Sequence, residues 1–185
     1  MFDCANHSSD NLRSEILTAC RLVSARLSAA SGLDIKLSIA TDEQLREAHY
    51  DWNPRPFDWV GSAFNDHESC CVFKLSITAD EKLCGVLKAC FEKETNYQSL
   101  ILERVRGNPD KTHLLKGKIL DAFCEVALEI AKRLNVPKID GEEPIDEIVE
   151  IYKELGFNFS RRDGINHITM PVGQATTLNA RVFSL

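Results

Sequence analysis

Three strand-type segments in a row, between residues 70 and 106, constrain the fold more than any other feature of the sequence. They are CCVFKLSIT, KLCGVLKACFE and YQSLILERVR. Only the short polar segments ADE and KETN separate them. Connections this short join antiparallel neighbours, because a parallel pair needs a much longer crossover. Residues 70–106 therefore predict an antiparallel meander.

Before the meander, the sequence predicts a helix, a strand and a second, short helix. Apolar residues recur at helical spacing over residues 10–30, and GLDIKLSIA alternates apolar with polar residues. Thr41 and Gln44 have the spacing of a capping box, in which each side chain bonds the other residue's backbone N–H at a helix start. The short helix therefore begins at TDEQ.

After the meander, helices alternate with strands. A broad apolar face predicts one long helix from His113 to Leu134. VPKIDG predicts a short strand, and PIDEIVEIYKEL a helix with Pro144 at its first position and Gly156 as its C-cap. FNFSRR and INHITMPV predict a hairpin around Asp163-Gly164.

These elements predict an α/β (α+β) fold with one mixed, mostly antiparallel sheet and helices on both faces. A chain of 185 residues fits a single domain. Within residues 1–185 we expect residues 1–31 to be an N-terminal helical extension and residues 172–185 to be a C-terminal tail.

The charge balance argues against nucleic acid and membranes as partners. The formal net charge is -6, so no excess of Lys and Arg is present to bind a phosphate backbone or anionic lipid. Charges break the apolar runs far short of the roughly 18 residues that span a bilayer, and the first residues lack the pattern of a secretory signal. Seven cysteines, mostly within apolar patterns, fit a reduced core. We expect a cytoplasmic protein.

No metal site is predicted. His49, His67 and His167 do not stand at ligand spacing with another His or Cys, and Cys70-Cys71 lacks the two-residue gap and second pair of a zinc site. Packing accounts for the cysteines better than a nucleophilic role does, because most of them lack a cationic or helix-start setting.

From the meander onward, the order of elements and one motif resemble a known family. The long helix follows the third meander strand, and the second helix ends in YKELGF, from Tyr152 to Phe157. Over residues 33–171 the chain resembles the GNAT superfamily of acetyl-CoA-dependent N-acetyltransferases, as a divergent bacterial-type member. The resemblance implies a sheet that splays after the strand matching residues 97–106, with the acyl-CoA in the opening.

The resemblance also implies where acetyl-CoA binds as cosubstrate. Pantetheine pairs with the backbone of that strand, and the pyrophosphate sits on amides at the next helix start, where exposed N–H groups and the helix dipole attract anions. The family's phosphate loop has Gln or Arg, two residues, Gly, one residue, then Gly or Ala. In LLKGKI only Gly117 matches, with Leu114 and Ile119 at the other two positions. The candidate cofactor-binding residues are Val105, Lys111, His113, Lys116, Gly117 and Lys118.

Basic side chains at a helix start are unfavourable without an anion, so their cluster favours a phosphate. The alternative is that these lysines are solvated surface charges and that Gly117 is tolerated in an exposed first turn.

Two residues are candidates for acid-base chemistry. Period-two alternation places Glu103 on one face of its strand with apolar Ile101 and Val105, a setting that suits a general base. The alternative is an ion pair with Lys88 or with neighbours of Arg104. By the resemblance, Tyr152 takes the position of the tyrosine that protonates the coenzyme thiolate; the alternative is a core tyrosine.

Trp52, Arg55 and Trp59 lie where GNAT enzymes shape the acceptor pocket, so they are the candidate substrate-binding residues. Their rings beside aspartates could hold a cationic amine. The alternative is a loop pinned to the core by its own aromatic residues.

The predicted function is transfer of an acetyl group from acetyl-CoA to a primary amine of a small molecule or a protein. The incomplete phosphate loop leaves a non-catalytic GNAT-fold binding module as the alternative, and the acyl chain length open. The resemblance also allows a homodimer, since GNAT relatives often dimerise, although no sequence feature indicates one.

Overall fold

The computed structural model describes residues 9–52, 59–93, 98–142, 144 and 146–174. The helices are α1 (Ser9–Ser31), α2 (Asp42–Tyr50), α3 (Ile119–Arg133) and α4 (Asp146–Glu154). The strands are β1 (Ile35–Ile39), β2 (Phe64–Asp66), β3 (Cys70–Ala79), β4 (Lys82–Glu92), β5 (Leu100–Gly107), β6 (Lys138–Glu142), β7 (Asn158–Arg162) and β8 (Ile165–Pro171). A 3-10 turn, Val172–Gln174, follows β8. None of the helices in these ranges is both long and apolar enough to cross a membrane.

The strands form one mixed sheet in the order β1-β3-β4-β5-β6-β8-β7, with β2 paired to β3. All pairs are antiparallel except β5 and β6, which are parallel. Because β3, β4 and β5 are neighbours both in the chain and in the sheet, the predicted meander is confirmed. The parallel pair requires a crossover connection, and α3 provides it.

Cap residues lie at the start of α2 and at the end of α4, where the sequence predicts them. The capping box of α2 is present, because the Gln44 N–H donates to Thr41 Oγ1 at 3.2 Å and the Thr41 N–H donates to Gln44 Oε1 at 2.9 Å. Gly156 follows α4 in the left-handed region, with φ of +93°, and the Phe157 N–H donates to the Tyr152 carbonyl at 3.0 Å. This is the Schellman arrangement that satisfies the last carbonyls of a helix.

Two predicted helix starts are wrong. α3 begins at Ile119 and not at His113, because Gly117 has φ of +75°, a left-handed conformation that a right-handed helix does not contain. Residues 114–118 instead form turns. α4 begins at Asp146, so Pro144 precedes the helix and is not its first residue.

One face of the sheet carries the main core, with α1 and α3 packed side by side on it. The fully or almost fully buried apolar side chains of α1 are Leu12, Ile16, Ala19, Cys20, Val23 and Leu27. Three ion pairs join the helices: Arg26 to Glu125 at 3.0 Å, Arg26 to Glu129 at 3.2 Å, and Arg133 to Glu15 at 2.6 Å. α1 is therefore an integral layer of the domain.

The other face carries a second, smaller core under α2. Its buried members are Ala40, Leu45, Ala48, Trp52, Trp59, Leu83 and Val86. Val86 and Leu87 are adjacent in β4, and adjacent strand residues point to opposite faces. Because Leu87 belongs to the main core, helices cover both faces, as predicted.

We expect Ile16→Ala in α1 to lower the free energy of unfolding by about 2–5 kcal/mol, because it leaves a cavity in the main core. The matched control is Leu22→Ala, on the same helix, whose side chain is 43% exposed; it should change stability by no more than about 0.5 kcal/mol. Urea denaturation measures both. Equal, small effects would show that α1 is not part of the cooperative core.

Candidate active site

The parallel pairing of β5 with β6 stops after three residue pairs. Leu100, Ile101 and Leu102 face Ile139, Asp140 and Gly141, whereas β5 continues to Gly107 and no strand of the described residues pairs with it on this side. A cavity of about 820 Å³ opens at this point. Its walls come from β5, Gly141 of β6, the start of α3 and one side of α4. The splay expected after residues 97–106 is therefore present in the sheet.

A β-bulge in β5 lies at the point where the strands separate. In the β4-β5 register Ala89 faces Leu102 and Lys88 faces Arg104, so Glu103 is the extra residue. Glu103 Oε2 lies 2.6 Å from Lys88 Nζ. The prediction that Glu103 shares a face with Val105 is wrong, because the bulge turns Val105 to the face of Leu87 and places Arg104 on the face of Lys88. The ion pair with Lys88, the alternative named from the sequence, is present.

The start of α3 forms a second wall of the cavity. Lys118, the residue before the helix, makes no side-chain capping bond. Among the described residues, Ala122 is the first of α3 whose N–H donates to the preceding turn; its acceptor is the Lys118 carbonyl, at 3.0 Å. The N–H groups of the first turn of a helix lack intrahelical acceptors, which makes this end suitable for an anion.

The structure brings some of the predicted cofactor-binding residues together at this wall and not others. Val105 of β5 lines the cavity, and so do His113, Lys116 and Gly117 just before α3. Lys111 and Lys118, also described, are not part of the lining. Three of the six residues thus form a compact group at the helix start, opposite the unpaired edge of β5.

His113 is half-buried against this wall. Its Nδ1 atom is buried and has no hydrogen-bond partner. Burial is the largest influence on the side chain and lowers the pKa of the imidazole, and nearby Lys116 acts in the same direction, while Asp110 opposes them. A bound anion would offset the loss of hydration that makes the imidazolium unfavourable here.

Tyr152 of α4 projects into the same cavity. Its side chain is 6% exposed and packs edge-to-face on Phe157, with ring centroids 5.2 Å apart. Its hydroxyl has no hydrogen-bond partner within the described part of the chain. Burial, and to a smaller extent the thiol of Cys124, raises the pKa of the phenol. Tyr152 is therefore a neutral hydroxyl in the wall of the cavity.

The three predicted substrate-binding residues do not form one group in the structure. Trp59 is 1% exposed and lines the cavity. Trp52 does not line it: the ring packs in the core under α2 and its indole N–H donates to Glu47 Oε1 at 3.3 Å. Trp52 therefore fits the alternative that its ring holds the loop to the core. Arg55 lies outside the described residues.

This arrangement can be compared with known proteins. No protein-family model and no curated protein matches the chain. Solved structures match it along almost their full length. The ribosomal-protein-S18-alanine N-acetyltransferase from Escherichia coli has a TM-score of 0.51 at 16% identity, over 77% of this chain and 97% of that one.

Two further matches have different substrates in their names. A chimera built on the spermidine N-acetyltransferase SpeG from Vibrio cholerae has a TM-score of 0.56 at 14% identity, over 76% of this chain and 97% of that one. Arabidopsis thaliana Naa50, bound to the bisubstrate analogue CoA-Ac-MVNAL, has a TM-score of 0.50 at 14% identity, over 73% of this chain and 95% of that one. The chain has the GNAT fold. This confirms the fold class expected from the sequence.

Within this GNAT fold, unsatisfied polar atoms concentrate at the cavity. The described residues have three buried side-chain nitrogen or oxygen atoms without a hydrogen-bond partner: Trp59 Nε1, His113 Nδ1 and Asn166 Oδ1. Two of the three belong to residues that line the cavity. Buried polar atoms are usually paired in folded proteins, so Trp59 Nε1 and His113 Nδ1 are polar groups available to a molecule in the cavity.

The cysteines lie mainly in the core. Of the six described cysteines, none is in a disulfide and all but Cys70 are buried. Burial raises the pKa of the thiols of Cys20, Cys71 and Cys90 to about 12, which keeps them neutral and poor nucleophiles at physiological pH. Among the described residues no group of three or more His, Cys, Asp or Glu could hold a metal ion.

Several cavity residues were not identified from the sequence. Lys88 was considered only as an ion-pair partner of Glu103, Arg104 only through its neighbours, and Gly141 only as the end of a short strand. A Cβ atom on Gly141 would lie 2.5 Å from Ile168 Cδ1, so glycine leaves room for the Ile168 side chain beside the opening. The Gly at the end of VPKIDG was the only sequence signal for it.

The depressed pKa of His113 predicts a pH effect on stability. The unfolded chain binds the proton first as the pH falls through the ordinary histidine range near 6.5, so the stability present above that pH is lost below it. We expect His113→Gln to lose less stability than the wild type between pH 7.5 and pH 5.5 in urea denaturation. His67→Gln, at an exposed histidine, is the matched control and should follow the wild type. Identical pH profiles for all three proteins would contradict this prediction.

Proposed function

We propose that this protein is an N-acetyltransferase that moves an acetyl group from acetyl-CoA to a primary amine. The observation that carries the proposal is the coincidence, in one cavity, of the β5-β6 gap, an uncapped helix start with Lys116 beside it, and the unpartnered hydroxyl of Tyr152. An acyltransferase that uses a large anionic thioester needs each of these: a slot, an anion site and a proton donor.

The donor would lie between β5 and the start of α3. The pyrophosphate fits the first-turn amides of α3, with Lys116 and His113 as positive or hydrogen-bonding side chains beside it. Gly117 has no atom within 4 Å of the place where a Cβ would be, so the backbone there is open to a close approach. Pantetheine amides would pair with the β5 backbone near Val105, on the side where no described strand follows β6.

The chemistry would use two groups across the gap. The amine nitrogen attacks the thioester carbonyl, a C–N bond forms, and the C–S bond breaks. Glu103, on the bulge, would take the proton from the nitrogen, and Tyr152 would give its proton to the departing thiolate. The acid role fits the environment of Tyr152, since burial keeps its hydroxyl protonated.

The solved structures named above support the reaction class. One is a spermidine N-acetyltransferase and another was solved with an analogue that joins CoA to a peptide. The first name describes N-acetylation of spermidine, and the second describes a bound analogue that contains CoA. At these sequence identities the likeness itself concerns the fold, so the reaction proposed here depends on the residues of the cavity.

The first test is a thermal melt with and without excess acetyl-CoA. A ligand present at 100 times its dissociation constant adds about 2.7 kcal/mol to the free energy of unfolding. We expect a clear upward shift in Tm. The absence of a shift at saturating acetyl-CoA would favour the alternative, a GNAT-fold binding module without catalysis.

We expect Tyr152→Phe to lower kcat by roughly 100-fold, the lower range for loss of a general acid. Because the hydroxyl bonds no described protein atom, its removal should leave Tm nearly unchanged. Tyr50→Phe is the control, since Tyr50 is 66% exposed and lies outside the cavity lining. Thiol release from acetyl-CoA measures the rate. Unchanged turnover in Tyr152→Phe would remove Tyr152 from the mechanism.

A further inference from the structure

β3 changes its partner in the sheet at Lys74. It pairs with β2 up to Phe73 and with β1 from Leu75 onward. Between these two pairings, the Lys74 N–H donates to the Ala63 carbonyl at 2.8 Å, and the Lys74 carbonyl accepts from the Ala40 N–H at 2.9 Å. Ala40 follows β1 and Ala63 precedes β2. Both ends of the segment between β1 and β2 are therefore held at one residue of β3.

The side chain of Lys74 bonds the same segment. It is 5% exposed, and its Nζ donates to the carbonyls of Trp59 at 3.0 Å, Val60 at 3.2 Å and Gly61 at 3.5 Å. Gly61 has φ of +104°, which a residue with a side chain rarely adopts, so this bend depends on glycine. Burial of an ammonium group costs free energy unless its N–H groups are bonded. The buried lysine and the three carbonyls therefore fix one another in place.

Trp59 extends this contact to the cavity. Its ring is 1% exposed and lines the cavity wall. The indole N–H of Trp52 is bonded to Glu47, whereas that of Trp59 has no partner among the described residues. The position of the Trp59 ring therefore depends on its packing and on the backbone that Lys74 holds.

Trp59 reaches the cavity from the face of the sheet opposite to the start of α3. Val86 belongs to the same smaller core as Trp59, and it is adjacent to Gly85 in β4, so these two strand residues point to opposite faces. Ile119 of α3 lies over Gly85, where an added Cβ would meet it at 2.7 Å. Since the donor is assigned to the α3 side, the face of Trp59 is left for the acceptor.

We propose that Lys74 is a positioning residue for the acceptor. Its ammonium group fixes the backbone of residues 59–61, and the Trp59 ring thereby forms the part of the wall that the acceptor contacts. This inference rests on the proposed function, because it assigns the α3 side to the donor. Loss of the Lys74 donors should weaken acceptor binding and leave donor binding intact.

The first experiment separates the two substrates. Lys74→Met keeps the length of the side chain and removes its donors, whereas Lys74→Gln keeps N–H donors without the charge. Thiol release from acetyl-CoA is measured with spermidine, tyramine, free lysine and benzylamine, and KM is determined for acetyl-CoA and for the amine that reacts fastest. We expect Lys74→Met to raise KM for the amine by about tenfold or more and to change KM for acetyl-CoA by less than about twofold. Lys74→Gln should lie between wild type and Lys74→Met. Lys36→Met, at an exposed lysine of β1 outside the cavity lining, is the matched control and should change neither KM.

A double-mutant cycle connects this effect to the ring. Trp59→Leu removes the aromatic wall and should also raise KM for the amine. If Lys74 acts through Trp59, adding Lys74→Met to Trp59→Leu should raise that KM by less than about twofold more, because coupled residues are not additive. A purely structural role of Lys74 would lower Tm without this coupling in KM.

Fluorescence reports the position of the ring without any acceptor. Trp52 and Trp59 are the two tryptophans of the chain, so Trp52→Phe leaves Trp59 as the only one. In this background, and well below Tm, we expect Lys74→Met to shift the emission to longer wavelength and to increase quenching by acrylamide.

Each contrary result overturns the inference in a recognisable way. Unchanged fluorescence, an unchanged KM for the amine, an equal rise in both KM values or additive effects in the cycle would reject the role of Lys74 while leaving acetyl transfer intact. If acetyl-CoA raises Tm but no amine reacts, each amine is titrated into the Trp52→Phe protein with CoA present, and no change in emission with any of them rejects it. If acetyl-CoA causes no shift in Tm, the donor site fails, and the inference fails with it. If Lys74→Met does not fold, Lys74→Gln takes its place in each measurement.

Discussion

The early end of the parallel pairing between β5 and β6 is the constraint on which the rest of the molecule depends. A β-strand in the middle of a sheet needs partners on both sides for its N–H and C=O groups. β5 has β4 along its whole length but β6 along only three residues. The remaining edge of β5 is therefore exposed to the cavity. Because the parallel connection must cross over through a helix, the start of α3 is placed beside that edge.

The bulge at Glu103 gives this gap its chemical character. A regular strand would place Glu103 and Arg104 on opposite faces. The extra residue places both side chains on the face of Lys88. A bulge also increases local twist, which fits its position where β5 departs from β6. The same irregularity thus separates the strands and sets the only carboxylate among the described charged residues on this face of the cavity.

Local rules predicted most of the fold, and contacts between distant segments account for what they missed. The meander, the capping box at Thr41 and the C-cap at Gly156 each depend on a few adjacent residues, and the structure confirms all three. The predicted start of α3 was wrong because the helical spacing of apolar residues continues through Gly117. The left-handed backbone of Gly117 does not alter that spacing. The bulge changes which residues share a face, and no residue in LILERVR indicates that a bulge is present. Glu103 and Tyr152 were identified as candidates, and the ion pair of Glu103 with Lys88 as an alternative, whereas the position of Arg104 on the face of Lys88 was not predicted.

The distribution of charge answers how a chain with a net charge of -6 could bind an anionic donor. At physiological ionic strength the field of a surface charge is screened within about 8 Å, so distant carboxylates contribute little inside the cavity. The groups at the start of α3 therefore decide. The first-turn amides, Lys116 and His113 lie there, with Asp121 as the carboxylate that this helix adds to the described lining. Tyr152 lines the same cavity, so a neutral proton donor and the proposed anion site belong to one opening in the sheet.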